Sequence, residues 1–346
     1  MRASLPARVV RALVTGATGM VGRHIAERLL ADGWTVRALV REPQRAQPLA
    51  ETGVELARGD VLDAQAFATA AAGCDVLFHA AAEIMTRGWE SYRRVNVDGT
   101  RNAISAAAGS AARLMQVSSV AVYGSETRYL GENRSGKTSE DLPLMPLHER
   151  NYYARSKRES EALVMAAHRA GRIWATAVRP DVIYGRYDRQ FVPRLAPLLR
   201  FGVVPLLAGG RSTLAVVHAA AVADGAVRAA TSDSAGGRAY NLANDFEVTV
   251  REFFAFGARG LGVAPHFLPV PLWLARGGLR AAKRTARVVT LGRVRIGGAT
   301  AVDFLTRDNP FTSERARREL GWAPPVRPED GVADAFAWWK AHPAGA

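Results

Sequence analysis

The chain has 346 residues, 48% of them apolar and 23% charged. At roughly 100–200 residues per domain this fits one large globular domain or two packed ones, and it excludes a largely disordered chain. Basic residues outnumber acidic ones 46 to 32, a net charge of +14, which points either to a polyanionic partner or to arginine-rich codon usage.

The first 180 residues alternate strand and helix signals. A short β-rich run at 11–15 meets a Gly-rich turn at 16–22. A helical pattern follows, with Val21, Ile25, Leu29 and Leu30 on one face and Gly33 closing it. Further strands are predicted at 35–40, 54–57, 76–79, 114–117 and 175–178. Helices near 62–72, 91–108 and 152–170 separate most of them. Strands alternating with helices imply a parallel, doubly wound sheet covered on both faces. The rhythm breaks after Pro180. Residues 186–214 are rich in Arg, Pro and Leu. The segment 215–243 returns to the sheet through a helix at about 219–230 and a strand at 239–242. Residues 265–305 are apolar and basic, and two closing helices are predicted at 313–320 and 328–339.

Gly16-Ala-Thr18-Gly19-Met20-Val21-Gly22 lies between the first strand and the first helix. Glycines at this spacing let the backbone turn tightly and approach a pyrophosphate with no Cβ in the way. The helix N-terminus then offers unpaired N–H groups to the phosphates. A glycine triplet alone also describes a plain tight turn; the strand-turn-helix context favours the dinucleotide reading. Where such a fold binds NAD, an acid after the second strand accepts the ribose hydroxyls. Arg41 stands there, with Arg45 nearby. A guanidinium suits a 2′-phosphate through bidentate, charge-assisted bonds, so NADP is the expected cofactor and NAD the alternative. The competing role for Arg41 is a solvated surface arginine. Asp60 and Val61 follow the third strand, where an acid meets the adenine amino group; Asp60 is equally placed to cap the helix beginning near Leu62. The expected fold class is therefore α/β: a Rossmann doubly wound parallel sheet with a smaller C-terminal substrate lobe. Residues 9–180 with about 215–245 form the dinucleotide-binding domain. The lobe comprises about 181–214 with 246–346.

Tyr153 and Lys157 are four residues apart at the start of the helix at 152–170, on one helical face. A phenol titrates near ~10 and is a poor acid-base group at neutral pH. A nearby ammonium favours phenolate. Ser119 follows the fifth strand, at the carboxyl edge where ligands bind in such sheets. It is positioned to orient a substrate oxygen toward Tyr153. Ser118 competes for that role, its other role being a hydrogen bond to local backbone. Asn96 either steadies the cofactor loop or is a polar residue on a helix face.

The Gly16–Gly22 loop, Asp60, His79-Ala80-Ala81-Ala82, Asn96 to Thr100, Ser119 to Gly124, Tyr153 with Lys157, and Arg179-Pro180 occur in one order over nearly the whole chain. In that order they resemble an extended short-chain dehydrogenase/reductase of the NAD-dependent epimerase/dehydratase and 3β-hydroxysteroid dehydrogenase superfamily. The resemblance implies that Tyr153 is the general acid-base, that Lys157 binds ribose and tunes Tyr153, and that Ser119 polarises the substrate. It implies that Ala80, Ala81, Ala82, Asn96, Val117, Pro180, Val182 and Ile183 line the cofactor. Ile84, Ser119, Val120 and Asp181 are the expected substrate-binding residues. It also implies a homodimer through the helices at 91–108 and 152–170.

Three readings compete within the resemblance. The first is an oxidoreductase acting on a secondary hydroxyl or ketone of an apolar substrate of steroid, polyketide or flavonoid type. The second is a nucleotide-sugar epimerase holding NAD tightly. The third is a non-catalytic NADP-binding redox sensor. A dehydratase would place an acidic pair where Val120 and Ala121 stand, and these cannot move protons. The epimerase reading is weakened by Leu214, which occupies the place of a diphosphate-gripping Arg, although Arg211 lies close. A sensor has no need of Ser119, Tyr153 and Lys157. The first reading is therefore the expectation.

The segment 267–274 offers apolar surface for a greasy ligand or is core of the lobe. Arg276, Arg280, Lys283, Arg284, Arg287, Arg293 and Arg295 follow it. They form either a weak membrane-surface contact, a site for an acidic carrier or coenzyme phosphate, or a solvated basic face. No nucleic-acid-binding motif accompanies the charge, so a small-molecule substrate is expected and nucleic acid is not. Cys74 is the only cysteine, which excludes an intrachain disulfide, and no metal site is predicted. No uncharged apolar run reaches the ~18 residues of a membrane-spanning helix. The first eight residues hold no apolar signal core. A cytoplasmic location is the expectation.

Overall fold

The computed structural model describes residues 9–85, 88–124, 139–243, 246–274, 277 and 299–342. The strands are β1 (Arg11–Thr15), β2 (Thr35–Val40), β3 (Glu55–Arg58), β4 (Val76–His79), β5 (Arg113–Val117), β6 (Ala175–Pro180), β7 (Val182–Tyr184), β8 (Val203–Leu207), β9 (Val216–His218), β10 (Ala239–Leu242) and β11 (His266–Val270). The helices are α1 (Met20–Ala31), α2 (Gln47–Ala50), α3 (Ala64–Ala71), α4 (Trp89–Tyr92), α5 (Gly99–Ser110), α6 (Tyr152–Arg169), α7 (Phe191–Arg200), α8 (Ala219–Thr231), α9 (Val250–Leu261), α10 (Ala299–Thr306), α11 (Glu314–Leu320) and α12 (Pro328–Ala341).

One sheet has the order β3-β2-β1-β4-β5-β6-β10, and every neighbouring pair in it is parallel. The chain moves outward from β1 to β3, then returns and moves the other way from β4. That reversal opens a crevice outside the carboxyl ends of β1 and β4, where such sheets bind ligands. Every residue of β4, β5 and β6 is buried, which is why these strands read as continuous rather than alternating apolar runs. On one face Leu13, Leu77 and Leu114 pack with Phe67 of α3, Ala103 and Ala107 of α5, and Val164 of α6. Each fully buried Leu or Phe contributes about 1.5–3 kcal/mol.

The chain divides into two compact units. The first comprises Met1–Ile183, Ala219–Asp245 and Phe311–Pro325; the second comprises Tyr184–His218, Phe246–Pro310 and Val326–Ala346. Residues 311–325, which the sequence pattern assigns to the substrate lobe, pack within the first unit. Trp322 is buried there and its indole N–H donates to the Ala221 carbonyl at 3.0 Å. Ser313 Oγ accepts from Ala243 N at 2.8 Å. This return depends on contacts 70 and 101 residues apart in sequence, which local periodicity does not register.

Two helices differ from expectation. In place of one helix over 91–108, α4 and α5 are joined by a π-helical stretch, Arg93–Asp98. The expected helix near Leu62 begins at Ala64, and its cap is Asp63, whose carboxylate accepts from Gln65 N and Ala66 N. Asp60 instead accepts from Leu62 N at 2.9 Å.

In the second unit, Val192, Leu199, Val204, Leu206, Phe253 and Phe336 form the core. Helix α9 is held at its start by a capping box between Thr249 and Glu252. A Cβ at Gly260 would overlap the Ala333 carbonyl, so only glycine lets α12 lie this close to α9. Strands β8 and β11 form a parallel two-stranded ribbon. No helix among the described residues is long and apolar enough to cross a membrane.

Candidate active site

The glycine turn is a cradle that side chains would fill. Gly16 has φ +71°, and a Cβ there would sit 2.7 Å from Ala81 N. A Cβ at Gly22 would overlap the Gly16 carbonyl. Gly19 begins α1 and provides no side-chain cap, so the first-turn N–H groups have no side-chain acceptor. Thr18 and Gly19 are exposed, and Met20 and Val21 are half-buried. This cradle fits a pyrophosphate held by backbone N–H groups. Ala80 and Ala81 are fixed beside it, donating to Thr15 O and Thr15 Oγ1, each at 3.3 Å.

At the end of β2, Arg41 is exposed, with no side-chain hydrogen bond or ion pair to the described residues. Arg45 is also exposed, and pairs with Glu42 at 3.0 Å. Asp60 and Val61 follow β3, and the Val61 carbonyl accepts from Asn102 of α5 at 2.9 Å.

Tyr153 and Lys157 lie in the first two turns of α6, which Asn151 caps by accepting from Ala154 N. The Tyr153 phenol lies beside Ser119; burial pushes the phenol up, and the Ser119 hydroxyl works against that shift. Lys157 is buried, and its Nζ donates to the Val117 carbonyl at 2.9 Å. Burial pulls its ammonium down to about 8, opposed by the charge of Glu161. Ser119 Oγ also accepts from Ala121 N at 3.2 Å. The ends of β5 and α6 thus bring Ser119, Tyr153 and Lys157 into one place.

Asn96 is buried in the π-helical stretch. It accepts from Glu83 N at 2.7 Å and donates to Glu83 O at 3.0 Å. It also donates to Ser156 Oγ at 2.8 Å, and that hydroxyl donates to the Tyr153 carbonyl. Asn96 therefore ties the chain after β4 to the start of α6. The widened turn is what sets this residue inward, a common use of π-bulges.

Ile84 and Val182 are exposed, Ser119 and Val120 half-buried, and Asp181 buried. Pro180 ends β6, and Ile183 is half-buried in β7. Ser118 does not bond local backbone through its hydroxyl: Ser118 Oγ is buried and without a partner, because the strand end turns it inward while Ser119 takes the turn-capping role. Leu214 is buried in the core of the second unit, and Arg211 is exposed.

Several contacts of the site escape sequence reasoning. Tyr92 of α4 sets its ring edge-on to Tyr153, centroids 6.3 Å apart. His79 is buried at the end of β4 and shares a hydrogen bond with Thr15 Oγ1 at 2.9 Å. Burial pulls the imidazole down to about 3, helped by the charge of Lys157, so it is neutral. Behind the catalytic helix, Arg179 grips Glu161 through two nitrogens. Its Nη1 donates to Tyr123 OH at 2.8 Å, and that hydroxyl donates to Asn241 Oδ1 at 2.7 Å. The only local signal for this network is the Arg179-Pro180 motif; its partners come from three separate elements.

A model of the NAD dependent epimerase/dehydratase family matches residues 12–243. The chain belongs to that family. It is 31% identical over 338 residues to the 4-hydroxy-2-methyl-3-oxo-4-farnesyl-3,4-dihydroquinoline-1-oxide ketoreductase of Stigmatella aurantiaca, covering 97% of this chain and 98% of that one. It is 28% identical to the 2-alkyl-3-oxoalkanoate reductase of Shewanella oneidensis, covering 95% and 86%. A dTDP-glucose 4,6-dehydratase of Streptomyces venezuelae, a double mutant solved with NAD bound, is 25% identical with a TM-score of 0.71, covering 96% of this chain and 97% of that one. The NAD-bound UDP-glucuronic acid 4-epimerase of Bacillus cereus shares the fold, with a TM-score of 0.73 at 18% identity over 96% and 99% of the two chains. These are extended short-chain dehydrogenases/reductases, and this chain is an oxidoreductase of that class.

Proposed function

We propose that the protein is an NADP-preferring reductase that interconverts a ketone and a secondary hydroxyl on an apolar small molecule. The observation that carries this reading is the assembled Ser119–Tyr153 pair with Lys157 one turn further along α6. The two residues after Ser119 are Val120 and Ala121, so no carboxylate follows it to drive an elimination. Named ketoreductase and oxoalkanoate reductase relatives support the same class. Exposed Ile84, Met85 and Val182, at the ends of β4 and β6, favour an apolar substrate.

The nicotinamide, when bound, gives or takes a hydride at the substrate carbon. The glycine cradle and the start of α1 hold the pyrophosphate. Tyr153 gives the ketone oxygen its proton in reduction and takes it back in oxidation. Ser119 hydrogen-bonds that oxygen and orients it. Burial pushes the Tyr153 phenol up and so keeps it in the protonated form that donates, and Lys157, one turn further along α6, would hold the nicotinamide ribose.

Arg41 favours NADP because it is exposed, uncommitted and stands where an acid would select NAD. Arg41→Asp is expected to move the NADPH-to-NADH ratio of kcat/KM toward NADH by about 10–100-fold, the loss of a charge-assisted bond of about 1.5–3 kcal/mol. The check is steady-state kinetics with both cofactors and one apolar ketone, run beside nucleotide sugars. Unchanged preference removes the NADP argument. Sugar isomerisation without net cofactor oxidation favours an epimerase.

A further inference from the structure

The basic residues at 276–295 lie outside the described residues. The first turn of α6 lies within them, and aromatic rings from α4 pack on it. Trp89 and Tyr92 are three residues apart and share one face of α4. Trp89 sets its ring against Tyr152, centroids 6.4 Å apart, and the Arg155 guanidinium lies 3.8 Å from the centre of the indole. Tyr92 meets the next residue, Tyr153, edge to face, with centroids 6.3 Å apart and ring planes at 63°. Two successive residues of α6 thus each have their own aromatic partner on α4.

An acid-base phenol has opposed needs. Substrate must reach it, yet its hydroxyl must stay in one place. Tyr153 is half-buried, so part of the side chain is open. Its ring stands on two rotatable bonds, and a change of rotamer carries the hydroxyl away from Ser119. Ser119 lies beside that hydroxyl but also accepts from Ala121 N. Lys157 stands on the same helix and is bonded to the Val117 carbonyl. The packing that holds the ring must come from its covered side, and Tyr92, only 6% exposed, supplies it. An edge-to-face pair prefers a particular mutual angle, so it resists rotation of the ring as well as displacement. Tyr92 is itself fixed, because the π-helical stretch that follows it is tied to α6 through Asn96 and Ser156.

We propose that Tyr92 is a positioning residue, whose buried ring fixes the rotamer of Tyr153 and keeps the phenol aimed at the substrate oxygen. The proposal rests on the reductase reading. Its test is steady-state reduction of an apolar ketone with NADPH, with NADPH Kd and circular dichroism measured beside it. Tyr92→Leu and Tyr92→Met keep apolar bulk and remove the ring. Either folded variant is expected to lose about tenfold in kcat while its Kd for NADPH stays at the wild-type value. Tyr92→Phe keeps the ring and is expected to restore kcat. Trp89→Leu loosens the neighbouring contact without touching Tyr153 and is expected to retain kcat. Wild-type kcat in a folded Leu or Met variant overturns the proposal. An equal loss in Trp89→Leu also overturns it, because general packing of α4 then accounts for the effect. An equal loss in Tyr92→Phe overturns it too, because the hydroxyl and not the ring then matters. A wild type that oxidises no NADPH with the ketone removes the reductase reading and this proposal together, whereas an active wild type with an unaffected Leu variant removes this proposal alone.

Discussion

Burial of Lys157 works against folding, and this gives its role a thermodynamic signature. An ordinary lysine titrates at 10.5, and Lys157 in the folded chain at about 8. Below about pH 8 both folded and unfolded chains hold the proton, and the buried charge weighs fully against the fold. From about pH 8 to 10.5 the unfolded chain holds more protons, so stability rises with pH. At ~1.36 kcal/mol per pH unit the full effect is about 3 kcal/mol. Lys157→Met removes the charge and leaves the Val117 carbonyl without its donor, a loss of about 1 kcal/mol. Thermal melts of the cofactor-free protein should therefore show the variant more stable than the wild type at pH 7. The advantage should shrink by pH 10, while turnover is lost. A variant less stable at pH 7 would show that Lys157 is a structural residue. The spacing of Tyr153 and Lys157 is visible in the sequence because both lie on one helix. The depressed ammonium is not, because its cause is the neighbouring strands that exclude water.

At the scale of elements, α6 is docked by polar contacts on both sides of its catalytic turn. Asn96 holds it through Ser156, and Arg158 donates to the Val122 and Met145 carbonyls. Further along, Glu161 is bound by Arg179 of β6, which also reaches Tyr123. Both members of this pair are buried. Removing one partner leaves the other as an uncompensated buried charge, which costs about 3–5 kcal/mol. Arg179→Leu is expected to lower the denaturant midpoint accordingly, and Arg179→Leu/Glu161→Leu to recover part of the loss. A single variant within about 0.5 kcal/mol of wild type, the range of ordinary surface changes, would contradict this docking role. None of these partners is legible in sequence. Each is a lone polar residue in its own element, and only the parallel register of β5, β6 and β10 brings them together. The seven strands of the main sheet and most of the helices beside it were legible, because apolar runs and 3.6-residue periodicity are local properties; the four short strands at 182–184, 203–207, 216–218 and 266–270 were not. The π-helical stretch at 93–98 was not, since its pattern continues that of the flanking helices.

For the whole molecule, the +14 charge is unevenly distributed. The unit that carries Ser119, Tyr153 and Lys157 has 225 residues and 29 basic against 24 acidic side chains, so most of the excess lies in the other unit. Within the first unit many arginines are structural: Arg113 pairs with Asp233, Arg28 and Arg228 share Asp224, and Arg179 binds Glu161. Arg41 is an exposed arginine with no such partner among the described residues, in keeping with the cofactor-phosphate role proposed for it. The glycine cradle, Ser119, Tyr153 and Lys157 were readable because each sits at a strand end or a helix start, where local spacing carries chemistry. The return of 311–325 to the first unit was not readable, because nothing local distinguishes α11 from the helices of the second unit. The most direct measurement is net oxidation of NADPH with an apolar ketone, a 2-alkyl-3-oxoalkanoate among them, by wild type and Tyr153→Phe, with cofactor binding followed in parallel. Turnover by the wild type, abolished in the variant while NADPH binding persists, is the expected result. Turnover that survives Tyr153→Phe would contradict the proposed chemistry.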